Sequence, residues 1–270
     1  MDLENEVAEL KEAKKRNFKV PREMSFRLTE RDVLILGFLL DQKFASLEQL
    51  YFRFFDVRKD VKELLPPGLH VTRQRLALLR RAGLISTAKV FTEAKSLYLL
   101  TGRGFEVFQS KKPDEAFAHP MRTVDFRNYE HDTKVNDCRI AIERTGRVMR
   151  WIPDRQIRME GFKSKYSWSR LPKEVVPDGI FISKEGKRIA FEIETSSRAK
   201  ERYKDKCRSY QGVMFGDDPL FSRVIWVGLT DRIQATLKDV VQNRERFSVE
   251  SYSHFLSKLW PTGVAEKISQ

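Results

Sequence analysis

Apolar residues recur at helical spacing from residue 28 onward. Val33, Leu34, Leu36, Leu39 and Leu40 form a broad face, and Thr29 with Asp32 three residues on is a capping box that opens the helix. Ser46 with Gln49 repeats the signal and opens a second helix through Leu47, Leu50, Tyr51 and Phe54. The run Leu65-Pro66-Pro67-Gly68 reads as a linker. A third helix is expected from near Val71, with Leu76, Leu79 and Ala82 on one face and Gly83 as its stop. Residues 86–91 and 96–100, with a turn at 92–95, predict a hairpin, and residues 101–108 a short helix.

The second half has a different rhythm. Residues 109–128 carry Lys111-Lys112-Pro113 and His119-Pro120, a linker composition. Residues 129–143 read as a helix with His131, Val135, Cys138 and Ile142 on one face. His131 there either packs as a hydrogen-bonded core residue or points from the end of that face toward polar chemistry. Trp151-Ile152 and residues 156–159 read as a strand, and residues 161–173 as a basic loop whose Phe162, Tyr166 and Trp168 suit base stacking. Two strands around a tight turn at 184–187 follow, then a helix containing Lys206, a strand at 223–228 and a helix at 231–242. The expected order is α-β-β-β-α-β-α. The aromatics Phe247, Tyr252, Phe255 and Trp260 of the tail are expected to dock on the body.

The resulting division is a charged arm at 1–27, a helical unit at 28–110, a linker at 111–128, a mixed α/β unit at 129–245 and a tail at 246–270. In the arm only Val7, Leu10 and Ala13 offer an apolar stripe.

Acidic residues stand where a plain sheet would carry none. Asp178 follows Pro177 and opens the first strand of the tight hairpin. Glu192 and Glu194 close the second, two residues apart and therefore on one face. Carboxylates crowded at strand ends repel one another, and a divalent cation is the usual remedy. Mg²⁺ or Mn²⁺ is the expected ion, held by Asp178, Glu192 and Glu194, and such an ion activates water beside a phosphate. Lys206 on the next helix is placed to face these acids, with Lys200 and Lys204 as rivals. The alternative is a plain hairpin with solvated charges.

Composition narrows the partners. The 270 residues carry a net charge of +13, spread along the chain, which favours a polyanion. The two cysteines, Cys138 and Cys207, supply neither a disulfide framework nor a zinc pattern and fit a reducing cytoplasm. No apolar run approaches the roughly 18 residues of a membrane span, and the acidic N-terminus lacks an apolar signal region. A cytoplasmic protein is expected. A homodimer is left open, with no heptad to support it.

Three helices followed by a two-stranded wing resemble a winged helix-turn-helix. The resemblance makes the third helix the recognition helix, with Arg73, Gln74 and Arg75 at base edges, Arg80 and Arg81 at phosphates, and Lys89 and Lys95 on the backbone from the wing. Pro177-Asp178, a hairpin and Glu192-Ile193-Glu194 resemble the PD-(D/E)XK nuclease pattern, with Glu194 where that pattern has lysine. In that reading Asp178, Glu192 and Glu194 hold the metal, Lys206 replaces the missing lysine, and His131 supports the metal or the scissile phosphate. The fold class implied is a winged helix followed by a restriction-endonuclease-like α/β domain.

The full arrangement resembles the replication-relaxation family of plasmid and mobile-element proteins. It does so over residues 28–40, 72–85, Leu99-Leu100-Thr101-Gly102-Arg103-Gly104, His131-Asp132, Pro177-Asp178, residues 191–195, and Lys206 with Tyr210. The resemblance implies DNA as partner and a role in replication initiation, relaxation or mobilisation. It points further to the MOBC-class relaxases, which add a metal site and an N-terminal tyrosine. This chain departs from them, since its first tyrosine is Tyr51, inside the second helix. Two functions therefore stand side by side: metal-dependent DNA nicking, or non-catalytic DNA binding on a nuclease-like scaffold.

Overall fold

The computed structural model describes residues 27–56, 68–91, 95–113, 115–160, 171–172, 175–215, 217–241 and 245–259. Residues 1–26 of the arm, the basic loop at 161–170 and Trp260 lie outside the described residues. The architecture is mixed α+β, with two sheets and helices on both faces of the larger one.

The N-terminal unit begins with α1 (Glu30–Gln42), β1 (Ala45–Ser46) and α2 (Leu47–Phe54). Both expected capping boxes are present: Thr29 and Asp32 exchange side-chain and backbone hydrogen bonds, as do Ser46 and Gln49. Next comes α3 (Gly68–Arg81), which starts three residues earlier than its apolar pattern suggests, and it is followed by Gly83 at φ 71°. The hairpin β2 (Ile85–Ala88) and β3 (Leu97–Leu100) joins β1 in an antiparallel sheet of order β1-β3-β2. Thr101 caps α4 (Gly102–Ser110) through the Gly104 N–H at 3.0 Å.

The second unit opens with α5 (Tyr129–Arg144) and β4 (Val148–Pro153). Residues 156–159, expected as strand, are helical within α6 (Asp154–Glu160). Asp154 stands in the first turn, where a helix dipole favours acid, and Ile157 and Glu160 turn inward three residues apart. The sheet continues through β5 (Gly179–Ser183), β6 (Arg188–Glu194), β7 (Arg223–Gly228) and β8 (Phe247–Ser251), in that spatial order after β4. β4, β5 and β6 pair antiparallel, whereas β6, β7 and β8 run parallel. α7 (Lys200–Met214) and α8 (Asp231–Val240) form the crossovers, and α9 (Tyr252–Leu259) closes the described chain. The fifth strand and α9 therefore fall in the stretch read as a tail, and Phe247, Tyr252 and Phe255 are buried there.

Each face of the larger sheet has its own core. Tyr203, Tyr210, Trp226 and Leu237 pack α7 and α8 on one face. On the other, Phe191, Ile193 and Val227 join α5, α9 and the N-terminal unit's Leu36, Leu39, Leu50 and Leu79 in one apolar cluster. The two units therefore share a core. α5 fastens them with polar contacts as well: Gln49 Nε2 donates to Asp137 Oδ1 (2.8 Å), Asn136 Nδ2 to the Phe44 carbonyl (2.7 Å) and Arg139 to Asp41 (3.1 Å).

Candidate functional site

The acids converge at one edge of the larger sheet because of its topology. β5 and β6 are antiparallel with Gly179 opposite Phe191, so the start of β5 lies beside the end of β6. Asp178 immediately precedes Gly179, and its Oδ2 accepts the Ile193 N–H at 2.8 Å. Gly179 is required for close approach, since a Cβ there would lie 2.0 Å from the Trp151 ring. Glu192 and Glu194 share the face covered by α7, while Phe191 and Ile193 point into the opposite core.

Lys206 is the lysine that meets these acids. Its ammonium lies 2.8 Å from Glu192 Oε2 and 3.9 Å from Glu194 Oε1, above the Trp226 ring at 5.1 Å. Lys200 instead pairs with Asp239, and Lys204 with Glu201. The Tyr210 hydroxyl, one helical turn beyond Lys206, donates to Glu192 Oε1. Arg198 donates to Glu194 Oε2 at 3.1 Å. His131, in the first turn of α5, places Nε2 3.2 Å from Asp178 Oδ1 and Nδ1 3.5 Å from Asp132 Oδ1. The five expected residues of this site are thus brought together.

Burial and ion pairing divide their charge states. Burial pushes Glu192 up to about 7, with Asp178 adding to the effect and Lys206 and Tyr210 opposing it. Burial also disfavours charge on Asp178, but His131, Lys206 and the Ile193 N–H outweigh it and hold its carboxyl below the usual range. His131 loses hydration too, yet Asp178 and Asp132 overcome this and raise it to about 10, so it is an imidazolium at neutral pH. Lys206 is likewise held charged against its burial by Glu192 and Asp178.

Every carboxylate oxygen of Asp178, Glu192 and Glu194 therefore faces a donor from the protein itself. Among the described residues, no group of three or more His, Cys, Asp or Glu side chains is arranged to hold a metal ion.

Sequence reasoning missed several participants. Lys43, from the N-terminal unit, donates to Asp132 Oδ1 at 2.8 Å. Among the described residues it is the only non-glycine at positive φ (72°), in a γ-turn closed by the Phe44 N–H to the Gln42 carbonyl at 2.8 Å. Asp154, the first residue of α6, is electrostatically linked to Lys43, Asp178 and Asp132. Tyr210 and Arg198 complete the neutralisation. The spacing from Lys206 to Tyr210 was a usable signal. Nothing in the sequence places Lys43 against a residue 89 positions away.

The basic residues of the N-terminal unit fall into two groups. Arg73, Gln74, Arg80 and Arg81 on α3 and Lys89 after β2 are exposed. Arg73 and Arg80 both act electrostatically on Tyr98 of β3, which sets them against the hairpin. Arg75, expected beside Arg73, turns inward: its Nε donates to Asp32 Oδ1 at 2.8 Å and its Nη2 to the Arg27 carbonyl at 3.0 Å. Asp32 is fully buried, so its charge requires that partner. Lys95 lies 3.8 Å from Glu48.

The replication-relaxation family model matches residues 36–218. The chain belongs to the replication-relaxation family. That span holds α3, the hairpin, His131, the acidic strands and Lys206. No curated protein and no solved structure matches the chain. Among the described residues, no helix of this family member is long and apolar enough to cross a membrane.

Proposed function

We propose that this replication-relaxation protein binds DNA of a plasmid or mobile element, in replication or relaxation, with α3 and the hairpin as a winged helix. The observation that carries the reading is the outward face of α3. Arg73, Arg80 and Arg81 are exposed there, the first two beside the hairpin, and have no acidic partner among the described residues, while Arg75 is taken up by Asp32. A folded protein that leaves several arginines uncompensated on one helix face presents a footprint suited to phosphate and base edges. The net charge of +13 and the family's name favour the same partner.

For the acid cluster the closed arrangement favours a scaffold role. Asp178, Glu192 and Glu194 are charge-paired by His131, Lys206 and Arg198, and Tyr210 adds a hydrogen bond to Glu192, a centre whose charges balance internally. A second reading, metal-dependent nicking on a PD-(D/E)XK-like domain, is favoured by the meeting of those same acids and Lys206 at one sheet edge. It requires the carboxylates to be released from their internal partners. A covalent tyrosyl route through Tyr51 is disfavoured, because Tyr51 is only 3% exposed.

One experiment separates the readings. Supercoiled plasmid carrying the element's own origin is incubated with the protein and Mg²⁺ or Mn²⁺, wild type beside Asp178→Ala, with binding followed in parallel. The scaffold reading predicts binding by both proteins and open circles from neither. Open circles from wild type alone would establish nicking and assign it to this cluster.

A further inference from the structure

We propose that the groove along the first half of α7 is a seat for a DNA phosphate, with Arg202 as its main donor and Arg198 beside it. The inference rests on the DNA-binding reading and extends it to Arg198 and Arg202 of the second unit, which neither the sequence pattern nor the family match assigns to DNA.

The groove holds about 480 Å³, and Glu194, Arg198, Arg202, Asp205 and Lys206 supply the charged side chains of its lining. Its position follows from the topology. Glu194 is the last residue of β6, which runs parallel to β7, and α7 begins the crossover between them. In open α/β sheets, ligands settle in the crevice outside the carboxyl ends of parallel strands.

The charges in the groove are unequal. Glu194 is matched by Arg198 at 3.1 Å and by Lys206 at 3.9 Å. Asp205 is matched by Arg208 at 2.9 Å. Lys206 belongs chiefly to Glu192. Arg202 is exposed and has no acidic partner among the described residues, so its charge is the surplus of the groove. The Arg198 Nε serves Glu194, and a guanidinium carries four further N–H donors beyond that one. Arg198, just before α7, and Arg202, in its first turn, line one concave wall and suit the planar, bidentate capture of a phosphate.

The test uses the full chain and fluorescence anisotropy with two duplexes, one from the element's origin and one unrelated, at several salt concentrations. Arg202 is exposed, so Arg202→Ala leaves the fold intact, which circular dichroism checks. The expected result is a loss of affinity of roughly three- to tenfold, equal for both duplexes, with the log–log salt slope reduced by about one. Arg202→Lys should restore the slope, because it keeps the charge. Affinity and slope unchanged in Arg202→Ala, while Arg73→Ala with Arg80→Ala weakens binding, would overturn the seat and leave the DNA-binding reading standing. Failure of the wild type to bind either duplex would remove both.

Discussion

Gln49 and Asp32 each do two jobs, and only the local one was legible. As capping-box partners of Ser46 and Thr29 they are written in four consecutive residues. As interior partners of Asp137 and Arg75 they depend on helices 88 and 43 residues away. Asp137 is the sharper case. It is fully buried, accepts hydrogen bonds from Gln49 and from the Tyr252 hydroxyl at 2.7 Å, and burial raises its carboxyl to about 6 despite those donors and nearby Lys134. The folded state therefore keeps a proton that the unfolded chain releases near its ordinary value of 3.8. The associated stability is complete below that value and is lost as pH rises to about 6. Thermal melts of Asp137→Asn should lack this part of the pH dependence, a difference of about 2–3 kcal/mol across the window. Parallel profiles for the variant and the wild type would contradict it. At Gly179 the constraint is steric: Gly179→Ala drives a methyl into Trp151 and should cost about 1–3 kcal/mol or more in a denaturant titration. A neutral result would mean that Trp151 can move aside.

At the scale of elements, the amphipathic helices of the N-terminal unit and the β5–β6 hairpin were readable because their periods are strong and local. α6 was not, because its seven residues are too few to show a helical period and Gln156-Ile157-Arg158-Met159 alternates polar and apolar as a strand does. β8 was missed for another reason: Phe247–Ser251 is a short edge strand whose parallel pairing with β7 depends on the crossover through α8. The candidate site shows the same division. Asp178, Glu192, Glu194 and Lys206 are near in sequence and were foreseen together. Lys43 and Asp154 come from other elements and were not. For α3, the inward turn of Arg75 leaves Arg73, Arg80 and Arg81 as the outward group. Arg75→Ala should consequently act on stability by stranding buried Asp32, with a loss of about 3–5 kcal/mol, and leave the salt slope of DNA binding unchanged. A changed slope at full stability would place Arg75 on the DNA instead.

The whole molecule is built around α5. Its apolar side joins the core shared by both units, its polar side holds Lys43, Phe44, Gln49 and Asp41, and its first turn supplies His131 to the acid cluster. The outward face of α3 and the acid edge of the larger sheet therefore belong to one packed body. Calorimetry should show one unfolding transition for both units, and two resolved transitions would contradict the shared core. The most direct test of the central claim is the salt dependence of binding to the element's own origin DNA, for wild type and for Arg73→Ala with Arg80→Ala. The account predicts tight, salt-sensitive binding by the wild type, and in the variant a weaker affinity with a log–log slope lower by about two. Equal affinity and slope for the two proteins would contradict it.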